Sequence, residues 1–125
     1  MTRRRILLVE DDADLRRMFR QVLSFGGFDV EEAGDGLRAL HQIDNRPPDA
    51  LVLDLGLPII SGQTVRAELA AQAHTRQIPV IVVTGDPGDF DSLNVACLLR
   101  KPVSPDRLLH VVQDCIARGG AAVKS

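Results

Sequence analysis

Ile6-Leu7-Leu8-Val9-Glu10-Asp11-Asp12 is the stretch whose reading decides the fold. Four apolar side chains run without a polar interruption and are then cut off by three acids. A strand with apolar residues on both faces needs cover on both faces, which is the pattern of a buried parallel strand. Downstream, Leu15, Met18, Phe19, Val22 and Leu23 recur at helical spacing within residues 14–25, and Gly26-Gly27 stops the run. Residues 28–33 resume as a strand, more exposed because Asp29, Glu31 and Glu32 interrupt it. A helix over about residues 37–44 follows, with Leu37, Leu40 and Ile43 inward, and Pro47-Pro48 ends it. Upstream, Arg3, Arg4 and Arg5 keep the start of the first strand soluble.

The alternation continues to the end of the chain. Residues 50–53 form a third strand, and an alanine-rich helix is expected over 63–73 after a loop from Gly56 to Gly62. Residues 79–83 are the most β-branched strand, Leu98-Leu99 lie in a short fifth strand, and 105–118 form a last amphipathic helix with Leu108, Val112, Cys115 and Ile116 on one side. Gly119-Gly120 closes that helix, so one domain is expected over residues 1–118 with a small tail at 119–125. Strands alternating with helices imply βαβ units, hence an α/β three-layer sandwich around a five-stranded parallel sheet.

Composition excludes several classes. With 125 residues, 45% hydrophobic and 26% charged, the chain is long enough for a single core and too apolar for disorder. A net charge of −2 gives no reason for direct nucleic-acid binding. No apolar run reaches the length of roughly 18 residues that a bilayer span requires, and only Ile6 to Val9 follow the basic amino terminus, too few for a secretory signal. A soluble, cytoplasmic protein without membrane partners is expected. Cys97 and Cys115 lack metal-ligand spacing and read as small hydrophobes in a reduced compartment.

In open parallel sheets, ligands bind beyond the carboxyl ends of the strands, where the strand order reverses. Here those ends carry Glu10-Asp11-Asp12, then Asp54, then Thr84-Gly85, then Arg100-Lys101-Pro102. Acids, a hydroxyl and an amine are thus delivered to one rim. Each alone has a plainer reading: Asp12 as a helix cap, Asp54 as a turn residue, Lys101 as a solvated charge. Their coincidence on one edge points to a site.

With these segments in view, the sequence resembles the receiver domain of two-component response regulators. The match is carried by residues 6–12, by Leu51-Val52-Leu53-Asp54-Leu55-Gly56-Leu57-Pro58 with Gly62, by Val82-Val83-Thr84-Gly85 and by Lys101-Pro102. The resemblance implies the flavodoxin-like strand order 2-1-3-4-5. It implies Asp54 as phosphoryl acceptor, and a magnesium ion held by Glu10, Asp11, Asp54 and the backbone carbonyl of Gly56. Thr84 and Lys101 would contact the phosphoryl group, and Gly85 would leave room for it. A cis bond before Pro102 would aim the lysine at the site. Asp12 is assigned the helix cap first and a metal role second. Gly56 and Asp86 are the positions that would tune dephosphorylation. The donor would be a histidine kinase or histidine phosphotransfer protein, and the output partner is not named by the sequence. On this reading the protein is a signalling domain and not an enzyme, although it supports its own magnesium-dependent phosphorylation and dephosphorylation.

Chemistry explains the residue types. Clustered carboxylates repel, and a hard divalent cation with oxygen ligands removes that repulsion. Phosphoryl transfer then needs chiefly positioning and charge neutralisation.

Two departures from the family stand out. Leu98 occupies the place of the aromatic that turns inward in many relatives. Lys101 follows Thr84 by 17 residues, a short interval, and Asp86-Pro87-Gly88-Asp89 is turn-like, so the fourth helix, limited to 90–96, is expected to be shortened or absent. Two alternatives are a receiver-like adaptor that is never phosphorylated and a phosphatase on the same fold. The latter wants a second acid where Gly56 stands. His41, His74 and His110 read as solvated or partly buried side chains, and Arg16, Arg17 and Arg20 as solvated charge on the outer face of the first helix, near the face on which the family docks its kinases.

Overall fold

A computed structural model describes residues 3–85 and 96–118. Strands β1 (Arg5–Val9), β2 (Asp29–Ala33), β3 (Ala50–Leu53), β4 (Val80–Thr84) and β5 (Cys97–Arg100) form one sheet. All four pairings are parallel, and the order is β2-β1-β3-β4-β5, the flavodoxin-like arrangement that the resemblance implied. Four helices are described: α1 (Ala13–Phe25), α2 (Gly36–Asn45), α3 (Gly62–Ala71) and α4 (Pro105–Ala117). Residues 86–95, on which the expectation of a shortened or absent fourth helix rests, lie outside the described residues, as does the tail at 119–125.

Alternation along the strands sorts the core into two apolar layers. Ile6, Leu8, Val52, Ile81, Val83 and Leu99 face α1 and α4, where Phe19, Leu23, Leu108, Val112 and Cys115 meet them. Leu7, Val9, Leu51, Leu53, Val80 and Val82 face the other way, against Ala39 and Ile43 of α2 and Val65 and Leu69 of α3. The continuous apolar run of β1 is thereby explained: alternate residues serve opposite layers. Edge strand β2 is covered less, with Asp29 exposed and only Ala33 buried. Cys97 and Cys115 are both free thiols in or against the first layer.

Each helix begins on a side-chain cap that satisfies an otherwise unpaired amide. Asp12 Oδ1 accepts from the amides of Asp14 (3.0 Å) and Leu15 (3.1 Å). Asp35 Oδ1 accepts from Arg38 at 2.8 Å, Ser61 Oγ from Thr64 at 3.2 Å and Ser104 Oγ from Arg107 at 3.2 Å. Helix α3 ends two residues short of the expected 73, because the buried Thr75 hydroxyl donates to the Leu69 carbonyl at 2.8 Å and turns the chain. Gly27, which follows α1, has φ of +97°, a conformation that favours glycine.

Two side chains expected inward are not. Met18 is 43% exposed and Leu37 is 44% exposed. The buried face of α1 centres on Phe19 and Leu23, and at 3.6 residues per turn Met18 lies about 120° around the helix from it. In α2 the buried face is built from Gly36, Ala39 and Ile43, with Gly36 packed against Ile60, and Leu37 lies on the far side. None of the described helices is long and apolar enough to cross a membrane.

Candidate functional site

The carboxyl ends of the strands converge on one rim, and backbone hydrogen bonds fix how. Beyond the end of β1, the Glu10 amide still donates to the Ala33 carbonyl of β2 at 3.1 Å. The Asp54 amide donates to the Val9 carbonyl at 3.0 Å, which places Asp54, one residue past β3, beside the end of β1. The Lys101 amide donates to the Thr84 carbonyl at 2.9 Å, extending the β4–β5 pairing to the rim. The peptide bond between Lys101 and Pro102 is cis.

The side chains close the arrangement. Lys101 Nζ donates to Glu10 Oε1 at 2.5 Å and to Asp54 Oδ2 at 3.0 Å, one ammonium shared by two carboxylates. The second Asp54 oxygen, Oδ1, accepts from the Gly56 amide at 3.0 Å, and Glu10 Oε2 accepts from the Asp12 amide at 3.3 Å. Glu10 is 2% exposed and Asp54 7%, whereas Asp11 is exposed. One carboxylate oxygen from each of Glu10, Asp11 and Asp54 lies within 4.8 Å of the other two. An all-oxygen, all-carboxylate set suits a hard divalent cation such as magnesium, which prefers oxygen ligands and keeps waters in its remaining positions.

Burial and mutual charge divide the titrations. Burial, with the Asp54 charge adding to it, pushes the Glu10 carboxyl up to about 7, and the shared Lys101 ammonium only partly opposes this. For Asp54 burial acts in the same upward sense, but the Gly56 amide and the Lys101 ammonium outweigh it and hold the carboxyl below its ordinary value. Burial would depress the Lys101 ammonium, yet the two carboxylates reverse that and raise it.

Of the residues singled out in the sequence, Glu10, Asp11, Asp54 and Lys101 come together through their side chains. Thr84, fully buried at the end of β4, joins through its main-chain bond to Lys101, and the exposed Gly85 follows it in the chain. A Cβ on Gly85 would stand 3.8 Å from Lys101 Cβ and Cδ, and one on Gly56 3.7 Å from Asp54 Oδ1. Asp12 is occupied as the cap of α1. Asp86 lies outside the described residues. Leu98 is partly buried against the α2–α3 layer. The three histidines are exposed.

Two features escaped the sequence reading. Arg16 is not solvated charge: its side chain is 23% exposed, Nη1 donates to the Glu10 carbonyl at 2.7 Å, and Nε donates to Glu32 Oε1 at 3.3 Å. The partner lies 16 residues away on β2, so no local spacing rule marks the pair. Ile59, in the loop after Asp54, has φ of +70° and is 76% exposed, a combination that β-branched residues rarely adopt and that no motif announces.

A parallel five-stranded sheet with three acids and a lysine at its carboxyl rim defines a class of signalling domain, and the comparisons agree. The model of the response regulator receiver domain matches residues 6–113. The chain belongs to that family. It is 42% identical over 121 residues to the response regulator MprA of Mycobacterium sp. (strain KMS), covering 91% of this chain and 51% of that protein. The chain therefore spans about half the length of the curated relatives it matches. Among solved structures, a putative response regulator from Chloroflexus aurantiacus is 31% identical with a TM-score of 0.85, covering 94% of this chain and all of that one (100%). A CheY-like receiver domain from Methanospirillum hungatei is 25% identical with a TM-score of 0.86, covering 94% and 97%.

Proposed function

We propose that this domain, spanning residues 1–118, accepts a phosphoryl group on Asp54 from a histidine kinase or histidine phosphotransfer protein in the cytoplasm. The change of charge then alters its fit to an output partner. The observation that carries this reading is the single Lys101 ammonium bridging Glu10 and Asp54 beside the three-acid cluster.

Glu10, Asp11, Asp54 and the Gly56 carbonyl would hold magnesium, which when bound supplies positive charge to the transferring phosphoryl oxygens. Asp54 is the nucleophile. It is buried, held ionised, and pinned by Gly56 through one oxygen, so the other presents a fixed lone pair once Lys101 is drawn to the incoming group. A carboxylate oxygen attacks phosphorus, the bond from phosphorus to the donor imidazole breaks, and an acyl phosphate is left on Asp54. Lys101 neutralises the added charge, and the Thr84 hydroxyl donates to a phosphoryl oxygen, biasing the end of β4 toward a second arrangement. Gly85 leaves room beside Thr84, Pro102 fixes the approach of Lys101, and Gly56 and Asp86 set how readily water reaches the phosphoryl group.

Incubation with magnesium and acetyl phosphate, followed by intact-mass measurement, tests this. The expected result is one phosphoryl adduct on the natural protein and none on Asp54→Asn. Absence of an adduct while acetyl phosphate remains intact overturns the proposal and favours an adaptor that is never phosphorylated.

A further inference from the structure

Both main-chain polar groups of Glu10 are held by groups outside the acidic cluster, and its carbonyl belongs to the peptide unit that leads on to Asp11. The Glu10 amide donates to Ala33 of β2, and the Glu10 carbonyl accepts from Arg16 Nη1 at 2.7 Å. Arg16 is itself oriented, since Nε donates to Glu32 Oε1 at 3.3 Å. Glu32 is anchored in turn: Oε2 accepts from Arg20 at 2.8 Å, and its carbonyl accepts from Gln42 of α2 at 3.1 Å. The chain from β2 through Glu32 and Arg16 ends on the carbonyl that sets the direction of two neighbouring acids.

We propose that Arg16 is a positioning residue, a guanidinium strut that fixes the Glu10–Asp11 peptide plane so that both carboxylates converge with Asp54 on one cation. The inference rests on the magnesium-dependent reading above. A planar guanidinium suits the task because its donors point in fixed directions and can serve a carbonyl and a carboxylate together, which an ammonium cannot do with the same rigidity. Groups behind a metal's ligands commonly change affinity by about 10–100-fold when removed.

Charge and position predict opposite signs. Arg16→Gln removes a positive charge from the neighbourhood of three acids, so a purely electrostatic role makes magnesium bind more tightly. A positioning role makes it bind more weakly, by about tenfold. Titration calorimetry with magnesium chloride, on variants whose thermal unfolding remains cooperative, separates the two. Arg16→Gln is expected to weaken binding, Arg16→Lys to weaken it less, and Glu32→Gln to weaken it in the same direction. Glu32→Gln is expected to add little on the Arg16→Gln background, because the two residues act in series.

A second readout needs no metal. In the metal-free protein, the Asp11 amide belongs to the peptide that Arg16 holds, and its nitrogen resonance is expected to move in Arg16→Gln and in Glu32→Gln. Unchanged or tighter magnesium binding in folded Arg16→Gln overturns the proposal. If Arg16→Gln does not fold, Glu32→Gln decides, and unchanged binding together with an unmoved Asp11 resonance there overturns it equally. Failure of the natural protein to bind magnesium overturns the functional reading instead, and the Asp11 resonance still judges the strut.

Discussion

The ammonium of Lys101 lies 3.0 Å from Asp54 Oδ2, although 47 residues separate the two along the chain. Glu10 is held by the same nitrogen, so removing it leaves two carboxylates buried without a counter-charge. Lys101→Met is expected to lower stability and to reduce phosphorylation by acetyl phosphate at least tenfold, the cost of losing a fixed charge at the transferring group. Magnesium affinity is expected to rise in the same variant, because a competing cation has gone. Calorimetry and intact-mass kinetics on one preparation check both signs.

Magnesium affinity is expected to depend on pH through Glu10. Burial pushes its carboxyl up to about 7 in the folded protein, above its ordinary value of 4.5, so between those values the metal-free fold binds a proton that the unfolded chain releases. The resulting stabilisation is complete below about 4.5 and is lost as pH rises through about 7. Magnesium requires the ionised form, so its affinity is expected to climb up to tenfold per pH unit toward 7 and to level above it. Asp54, held below its ordinary value, adds nothing to this window. Titrations at several pH values, with unfolding measured alongside in metal-free buffer, read the two opposing trends.

Gly62 opens α3 directly behind the acceptor. A Cβ there would stand 2.2 Å from the Asp54 carbonyl oxygen and 2.7 Å from Leu55 Cα, and neither is a flexible side-chain end. Gly62→Ala is expected to cost at least what overpacking a core ordinarily does, about 1–3 kcal/mol, and to displace Asp54. Urea unfolding gives the first quantity, and phosphorylation rate at a denaturant-free temperature well below the transition gives the second.

Gly56 offers the contrasting case. A side chain can begin there at ordinary contact distance, 3.7 Å from Asp54 Oδ1. Gly56→Met is expected to leave stability nearly unchanged and to lengthen the life of the acyl phosphate several-fold by covering it from water. Decay of the adduct mass after removal of acetyl phosphate measures this.

Ile59 is a candidate for stabilisation. Its φ of +70° crowds a β-branched side chain that gains no burial in return. Relief of a left-handed conformation amounts to roughly 1–2 kcal/mol, offset in part by the greater freedom of unfolded glycine, about 0.5–1 kcal/mol. Ile59→Gly is therefore expected to raise the unfolding midpoint modestly, readable by calorimetry.

The strands were legible because runs such as residues 6–9 and 50–53 are apolar on both faces and end in charge. The site was legible because its acids, hydroxyl and amine immediately follow those runs. What escaped was set by residues whose sequence signal is weak or misleading. Gly36 and Ala39 fill the buried face of α2 and displaced attention to the larger Leu37. Arg16 reads as one more charge on a charged helix, and its bonds reach a carboxylate on β2 and the carbonyl that follows β1. Long-range pairing of this kind leaves no periodic trace.

The main-chain bond from Lys101 to Thr84 has its own consequence. It joins the hydroxyl-bearing and ammonium-bearing residues as adjacent rungs of one ladder, so neither can travel far while the other stays. Under the proposed chemistry, capture of the new group by Thr84 and the shift of the Lys101 ammonium from Glu10 toward that group become a single geared stroke rather than two independent adjustments.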